Sequence, residues 1–196
     1  PKTPLHIVLP LQVYWADWGI ANYWGPSMLV DLGMSSSNAG LASTLFTAVG
    51  IVSSLLFGAI SDKMGKRRPT MLIGGVGMVA GYLLMIFGNQ GGIVSIVVVG
   101  MICTGFCAYV VYPIGFALLS DTTQSSKIGP ANGIIQGVSF LVGMFVFQQI
   151  VGVVKDFTDS YWIGLAFCAV LTLFTNVILV RIFIREKDEV AKELAK

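Results

Sequence analysis

The sequence predicts an all-α membrane protein, a bundle of six transmembrane helices with both chain ends on the cytoplasmic side. Three observations predict it. Hydrophobic residues make up 55% of the 196-residue chain and charged residues only 11%, where soluble domains carry about 25% charged residues. The apolar residues gather into six stretches, each near the roughly 20 residues that a helix needs to cross a bilayer. The basic residues fall almost entirely on alternate connections, as expected when positive charge stays in the cytoplasm.

The six spans are expected at 7–30, 38–61, 70–88, 92–119, 130–154 and 161–184, joined by short polar connections. A charged helical tail at 185–196 follows, resting at the membrane surface. A soluble fold of this composition would expose far more contiguous apolar surface than a soluble monomer tolerates. With the N-terminus inside, Lys2, Lys63, Lys66, Arg67, Arg68, Lys127, Arg181, Arg185, Lys187, Lys192 and Lys196 are cytoplasmic. Of the 12 Lys and Arg, only Lys155 then lies outside. The chain opens on Pro1-Lys2-Thr3-Pro4 without Met or a secretory leader, so an upstream segment is expected to have been removed, by design or by processing.

Glycine numbers 23. Gly77 with Gly81, and Gly133 with Gly137, form GxxxG pairs that let helix backbones approach closely in lipid. Pro10, Pro26 and Pro113 lie inside spans 1 and 4, where freed carbonyls need a neighbour or a cavity. Cys103, Cys107 and Cys168 all sit in apolar runs and are read as packing residues. Neither a metal site nor a cofactor is expected, and no basic groove interleaved with aromatics suggests nucleic acid.

Span 2 ends in Gly58-Ala-Ile-Ser-Asp62-Lys63-Met-Gly65-Lys66-Arg67-Arg68. This resembles the G-x-x-x-D-[RK]-x-G-[RK]-[RK] signature of the major facilitator superfamily, and it stands, as there, in a short loop between a second and a third helix. In physical terms Gly58 permits close contact, Asp62 ends a helix, Gly65 allows a tight turn and the basic run anchors the loop. The resemblance implies one six-helix half of a two-bundle transporter. The stretch Gly129–Gly137, with Gly152-Val-Val-Lys-Asp156-Phe-Thr-Asp159-Ser-Tyr161, looks like the eleventh and twelfth helices of that fold, so the chain is read as the C-terminal half. The resemblance further implies that Asp62 docks near the start of a partner's fifth helix, at Gly129–Gly133 if two copies pair.

Polar groups at membrane depth are candidates for function. Asp17 is the acidic residue deep in a span. At 100° per residue Pro10, Tyr14, Asp17, Ala21, Trp24 and Met28 share a stripe. Span 2 offers Ser43, Thr47, Gly50 and Ser54, span 4 Gly105, Tyr109, Tyr112 and Phe116, and span 5 Asn132, Gln136, Ser139 and Gly143. Span 3 is plainer apart from Tyr82, and span 6 has the weaker set Thr172, Thr175 and Asn176. In the family that the chain resembles, helices 1, 2, 4 and 5 of each half line the central cavity, and the division of polar residues matches. The substrate- or proton-binding candidates are therefore Asp17, Tyr14, Trp18, Trp24, Tyr109, Tyr112, Asn132 and Gln136. Gly58, Asp62, Lys63, Gly65, Lys66 and Arg67 are the candidate gating motif. Asp17 is either a proton carrier or a counter-ion for a cationic solute, with Trp15, Trp18 or Trp24 adding cation–π contact. His6, Gln148 and Gln149 are read as interfacial.

Three functions compete. The first is transport of a small solute by alternating access, driven by an ion or solute gradient, with protons as one coupling ion. It needs a second six-helix half or a second copy of the chain, and membrane lipid around it, with the bacterial inner membrane as the expected location. The second is a transport-inactive fragment that folds and dimerises. The third, an intramembrane enzyme, needs a nucleophile with a base inside the membrane, which the lone His6 does not supply. No catalytic residue is assigned. A nucleotide-binding loop of the form GxxxxGK[ST] is absent from the sequence.

Overall fold

A computed structural model describes residues 13–122 and 125–183. These are helical apart from short turns. We number the helices α1 (13–31), α2 (Ser36–Met64), α3 (Arg68–Gln90), α4 (Val94–Thr122), α5 (Ile128–Thr158) and α6 (162–183). Among the described residues, α2 to α6 each contain a stretch long and apolar enough to cross a membrane. The helix α1, described from residue 13 onward, is not one of those five. His6, Pro10 and the expected tail at 185–196 lie outside the described residues.

Local chemistry sets the helix ends. Ser35 is extended, with φ −64° and ψ 144°, and its Oγ accepts from Asn38 N at 3.4 Å, which satisfies one of the free donors at the start of α2. At the other end Gly65 turns left-handed at φ 61°, and its N–H donates to Asp62 O at 3.2 Å. A side chain there would be strained. Asp159, at φ 51°, ends α5 in the same way with its N–H on Lys155 O at 2.8 Å.

Three helices widen by a π-helical turn, at Ile20–Trp24 in α1, Leu141–Val146 in α5 and Leu173–Leu179 in α6. The turn in α1 has a visible cause. Pro26 lacks an N–H and its ring crowds the carbonyl four residues back. The preceding turn opens, and Gly25 N–H reaches Ile20 O. Each π turn adds about one residue to the local repeat, so side chains beyond it shift to a new face.

The helices meet through glycine. Along α3, Gly74, Gly77, Gly81 and Gly88 lie against Val111, Cys107, Thr104 and Val97 of α4. On the far side of α3, Gly75 meets the backbone of Asn176 in α6. The helix α2 joins α4 where Gly50 receives the Tyr109 ring and Gly105 receives Phe46, and Ser53 Oγ donates to Phe106 O. At the end opposite the Gly65 turn, Tyr161 OH donates to Asp31 Oδ2 at 2.9 Å and so ties the end of α1 to the start of α6.

The two GxxxG pairs part company. Gly77 and Gly81 form the α3–α4 seam, but a Cβ on Gly133 or Gly137 would meet nothing within 4 Å. The same holds for Gly58, so the close contact expected of these three glycines is not made within the bundle. They lie on the outer faces of α2 and α5, beside exposed Leu55, Leu56, Ile134 and Val138.

A Cβ at position 81 would sit 2.2 Å from Thr104 Oγ1 and 2.7 Å from Thr104 N. Gly81→Ala therefore forces backbones apart and is expected to cost about 1–3 kcal/mol, as overpacking does. Gly133→Ala meets open space and is expected to leave stability unchanged or slightly raised. Thermal melting of the two variants in detergent checks the contrast.

Candidate functional site

Where α1, α4 and α5 meet, aromatic and amide side chains gather at membrane depth. Tyr14 of α1 stacks on Tyr112 of α4 with centroids 4.1 Å apart and meets Tyr109 edge-on at 5.5 Å. Trp15 stands edge-on to Tyr112 at 6.1 Å and to Phe140 of α5 at 4.9 Å. A hydrogen-bond chain runs through them. Trp15 Nε1 donates to Gln136 Oε1 at 3.2 Å, and Gln136 Nε2 donates to Tyr112 OH at 2.6 Å. Trp18 packs edge-on to Trp15 at 6.2 Å, and Asn132, one turn before Gln136, has its Oδ1 buried with no hydrogen-bond partner. Trp15, Trp18, Tyr109, Tyr112 and Gln136 are all half-buried, so the cluster borders the bundle's open side.

The stripe expected to line a cavity from α1 turns the other way. Tyr14, Asp17, Ala21 and Met28 are buried inside this bundle, and the half-open face carries Trp15, Trp18 and Asn22 instead. Asp17 is 1% exposed. Tyr82 of α3 donates its hydroxyl to Asp17 Oδ1, while Oδ2 has no hydrogen-bond partner. Asp17 is therefore enclosed, while Trp15, Gln136 and Tyr112 are half-buried. Trp24 also leaves the cluster. It lies beyond the π turn, with its indole over Gly152 of α5 and its ring 6.2 Å from that of Tyr161.

Gln148 is 7% exposed, and its Nε2 donates to Ala16 O at 3.0 Å, which binds α5 to α1. On α5, Ser139 and Gly143 are buried against neighbours rather than open, as are Thr172, Thr175 and Asn176 on α6. The sequence did not single out Phe140 of the cluster, and it named Trp15, Tyr82 and Gln148 without placing them among the binding candidates. Tyr82 had one signal, its standing as the polar exception on a plain helix.

The loop motif closes on itself. Arg67 Nη1 donates to Asp62 Oδ1 at 2.5 Å and to Ser61 Oγ at 3.1 Å, and Ser61 Oγ donates to Lys66 O at 3.2 Å. Gly65 makes the turn that brings Arg67 back over the end of α2, while Lys63 and Lys66 are exposed. Asp62 remains largely exposed, at 69% of its side chain, so its outer edge is open to a further partner. At the opposite end Lys155 donates to Asp159 Oδ1 at 2.8 Å and holds that carboxyl below the usual carboxylate range.

Chemically the cluster offers ring faces, an amide and phenol hydroxyls, with an enclosed carboxylate behind it. Among the described residues no group of His, Cys, Asp and Glu is placed to hold a metal ion. Such a set can hold a solute and hand on a proton.

Comparison with known proteins points to one family. The family model of the Major Facilitator Superfamily matches residues 12–196. An uncharacterised MFS-type transporter of Schizosaccharomyces pombe is 29% identical over 161 residues, covering 80% of this chain and 35% of that protein. The multidrug resistance protein MdtL of Klebsiella pneumoniae is 30% identical over 118 residues, covering 60% of this chain and 29% of its own length. The solved structure of the xylose transporter XylE from E. coli, in an inward-open conformation, superposes with a TM-score of 0.79 at 14% identity. That superposition covers 97% of this chain and 49% of the XylE chain. The chain thus spans from under a third to about half of the length of these relatives.

The contact between Tyr82 and Asp17 yields a prediction. Tyr82→Phe leaves a buried carboxyl without its donor and is expected to destabilise by about 1–3 kcal/mol. Asp17→Leu/Tyr82→Phe removes both partners and is expected to cost less than the two single changes summed. A thermal-melting double-mutant cycle measures the coupling.

Proposed function

The chain belongs to the major facilitator superfamily, and from that premise we propose that it is one six-helix half, the C-terminal one, of a proton-linked secondary transporter for a small solute. Family membership makes it part of a multi-pass membrane transporter rather than an enzyme. The finer reading is carried by one observation, the gathering of Trp15, Gln136, Tyr112 and Tyr14 at the open junction of α1, α4 and α5.

On this reading the cluster binds the solute and Asp17 carries the proton. A solute cannot reach a carboxylate that is 1% exposed, and Tyr82, whose hydroxyl meets it, is itself fully buried, so on this reading a proton reaches Asp17 when α1 and α3 part during the transport cycle. This favours the carrier role over the counter-ion role. The solute class follows the relatives only loosely, a sugar or a drug-like molecule, since aromatic faces and an amide suit both.

Alternating access needs a second bundle to enclose the site. The outer faces of α2 and α5 supply the surface for it, with Gly58, Gly133 and Gly137 open to a close backbone approach. Asp62 stands at the cytoplasmic end of that surface, where it docks on the start of the partner's α5. The partner is a second six-helix half or a second copy of this chain. Both termini are then cytoplasmic, with the basic Lys63–Arg68 loop inside and Lys155 outside, in a bacterial inner membrane.

Reconstitution into liposomes tests the proposal, with radiolabelled xylose and a fluorescent drug cation as the two trial solutes. An imposed proton gradient is expected to drive accumulation of one of them. Asp17→Asn should abolish gradient-driven accumulation by at least tenfold while solute exchange persists. Asp62→Asn should shift the detergent-solubilised particle from about twice the 21.0 kDa chain mass toward a single copy. A particle that pairs yet moves neither solute would favour the transport-inactive fragment, for which the open glycine faces alone suffice.

A further inference from the structure

Along the α3–α4 seam, away from the central cluster, two thiols stand one helical turn apart. Cys103 and Cys107 of α4 are four residues apart, a spacing that puts their side chains one above the other on one face of the helix. The two side chains are hydrogen-bonded to each other. Cys103 Sγ also donates to Gly77 O of α3 at 3.5 Å. The absent side chain at position 77 makes the room, since a Cβ there would overlap Cys107 Sγ. The seam therefore carries a paired dithiol where Gly77 crosses it.

Both thiols are half-buried. The surface beside them is apolar and open. Val99, one turn before Cys103 on α4, and Ile73 and Val76, next to Gly77 on α3, are each more than half exposed. At membrane depth such a surface meets acyl chains. Cys168 differs on both counts, being 1% exposed and the one cysteine of α6. A thiol facing hydrocarbon stays protonated, because a bare thiolate there is costly. Hydrated cations do not enter that layer. The pair suits a neutral, lipid-soluble electrophile that takes up both thiol protons itself.

We propose that Cys103 and Cys107 form a dithiol site for a neutral organic oxide of trivalent arsenic, which bridges the two sulfurs beside Gly77. The oxygen leaves arsenic, and two arsenic–sulfur bonds form in its place. The two thiol protons depart with that oxygen as one water molecule. Arsenic stays trivalent, neither sulfur is oxidised, and no charge is left in the hydrocarbon. Soft sulfur ligands match a soft centre, and the spacing supplies both bonds from one face of an unbroken helix. A single thiol releases arsenic by exchange, whereas a second thiol already in place recaptures it. The site rests on the α3–α4 geometry alone and holds whether or not the chain transports anything.

The probe is phenylarsine oxide, added to the purified chain in detergent. The chain is then washed with excess mercaptoethanol and weighed by intact mass spectrometry. The wash exchanges away an adduct on one thiol, while a bridged adduct survives it and is removed by dimercaptopropanol. The expected product has gained one phenylarsenic group and lost two hydrogens. Proteolysis should place that group in the segment between Arg68 and Lys127, whose cysteines are Cys103 and Cys107. Cys103→Ser and Cys107→Ser are each expected to retain about tenfold less arsenic after the wash, and Cys168→Ser as much as the parent. The proposal is overturned if the parent forms no adduct or loses it to mercaptoethanol. It is equally overturned if Cys103→Ser or Cys107→Ser keeps the adduct through the wash, or if the group maps to Cys168.

Discussion

Helices in hydrocarbon gain nothing from hiding apolar side chains from one another, so they must be held by close contact between their backbones. In this chain that contact is the glycine seam between α3 and α4. Gly74, Gly77, Gly81 and Gly88 bring one helix against Val111, Cys107, Thr104 and Val97 of the other, and Gly75 does the same for α6 on the far side. The helices α3, α4 and α6 become a rigid back wall. With α4 fixed, Tyr109 drops into Gly50 and Phe46 into Gly105, which fixes α2. The remaining helices are joined by polar contacts and rings, α1 to this wall through Asp17–Tyr82 and Tyr14–Tyr112, and α5 to α4 through Gln136–Tyr112 and to α1 through Gln148–Ala16.

This division of labour places the chemistry. Contacts between small residues leave no room for large polar groups, so those groups sit where the seam ends, along α1 and α5. One set, around Trp15 and Gln136, borders the open side. Another, Asp17 with Tyr82, is sealed inside. The outer faces of α2 and α5 leave Gly58, Gly133 and Gly137 uncovered, the surface on which the proposed second bundle would pack. The loop motif belongs to that unpaired edge. Arg67 pins Asp62 and Ser61 at the end of α2 and holds the turn in shape while Asp62 stays exposed.

The membrane character and the family could be read from residues alone, because composition, apolar length and the spacing from Gly58 to Arg68 are local properties. The Gly77–Gly81 contact was legible for the same reason. The faces of α1 and α5 were not. Periodicity says which residues share a side of a helix, and nothing about which neighbour that side meets. Nothing near position 17 announces that Tyr82, 65 positions later, stands against Asp17. The π turns did further damage to the count. A 100° step puts Trp24 on the Tyr14–Asp17 stripe and leaves Gln148 off the stripe of Asn132, Gln136, Ser139 and Gly143. The widened turn at Leu141–Val146 carries that stripe on to Gln148, and the one at Ile20–Trp24 carries Trp24 over to α5. The Pro26 signal for the first of these was present in the sequence; Leu141–Val146 contains no proline to announce the second.

All of this depends on the helices crossing a bilayer in alternating directions. Cysteine labelling in sealed, oriented vesicles measures that directly, with Cys103, Cys107 and Cys168 replaced by alanine and single cysteines placed at Lys66 and at Ser160. A membrane-impermeant maleimide should reach position 160 only from the outer side and position 66 only from the cytoplasmic side. Labelling of both positions from one side would contradict the account.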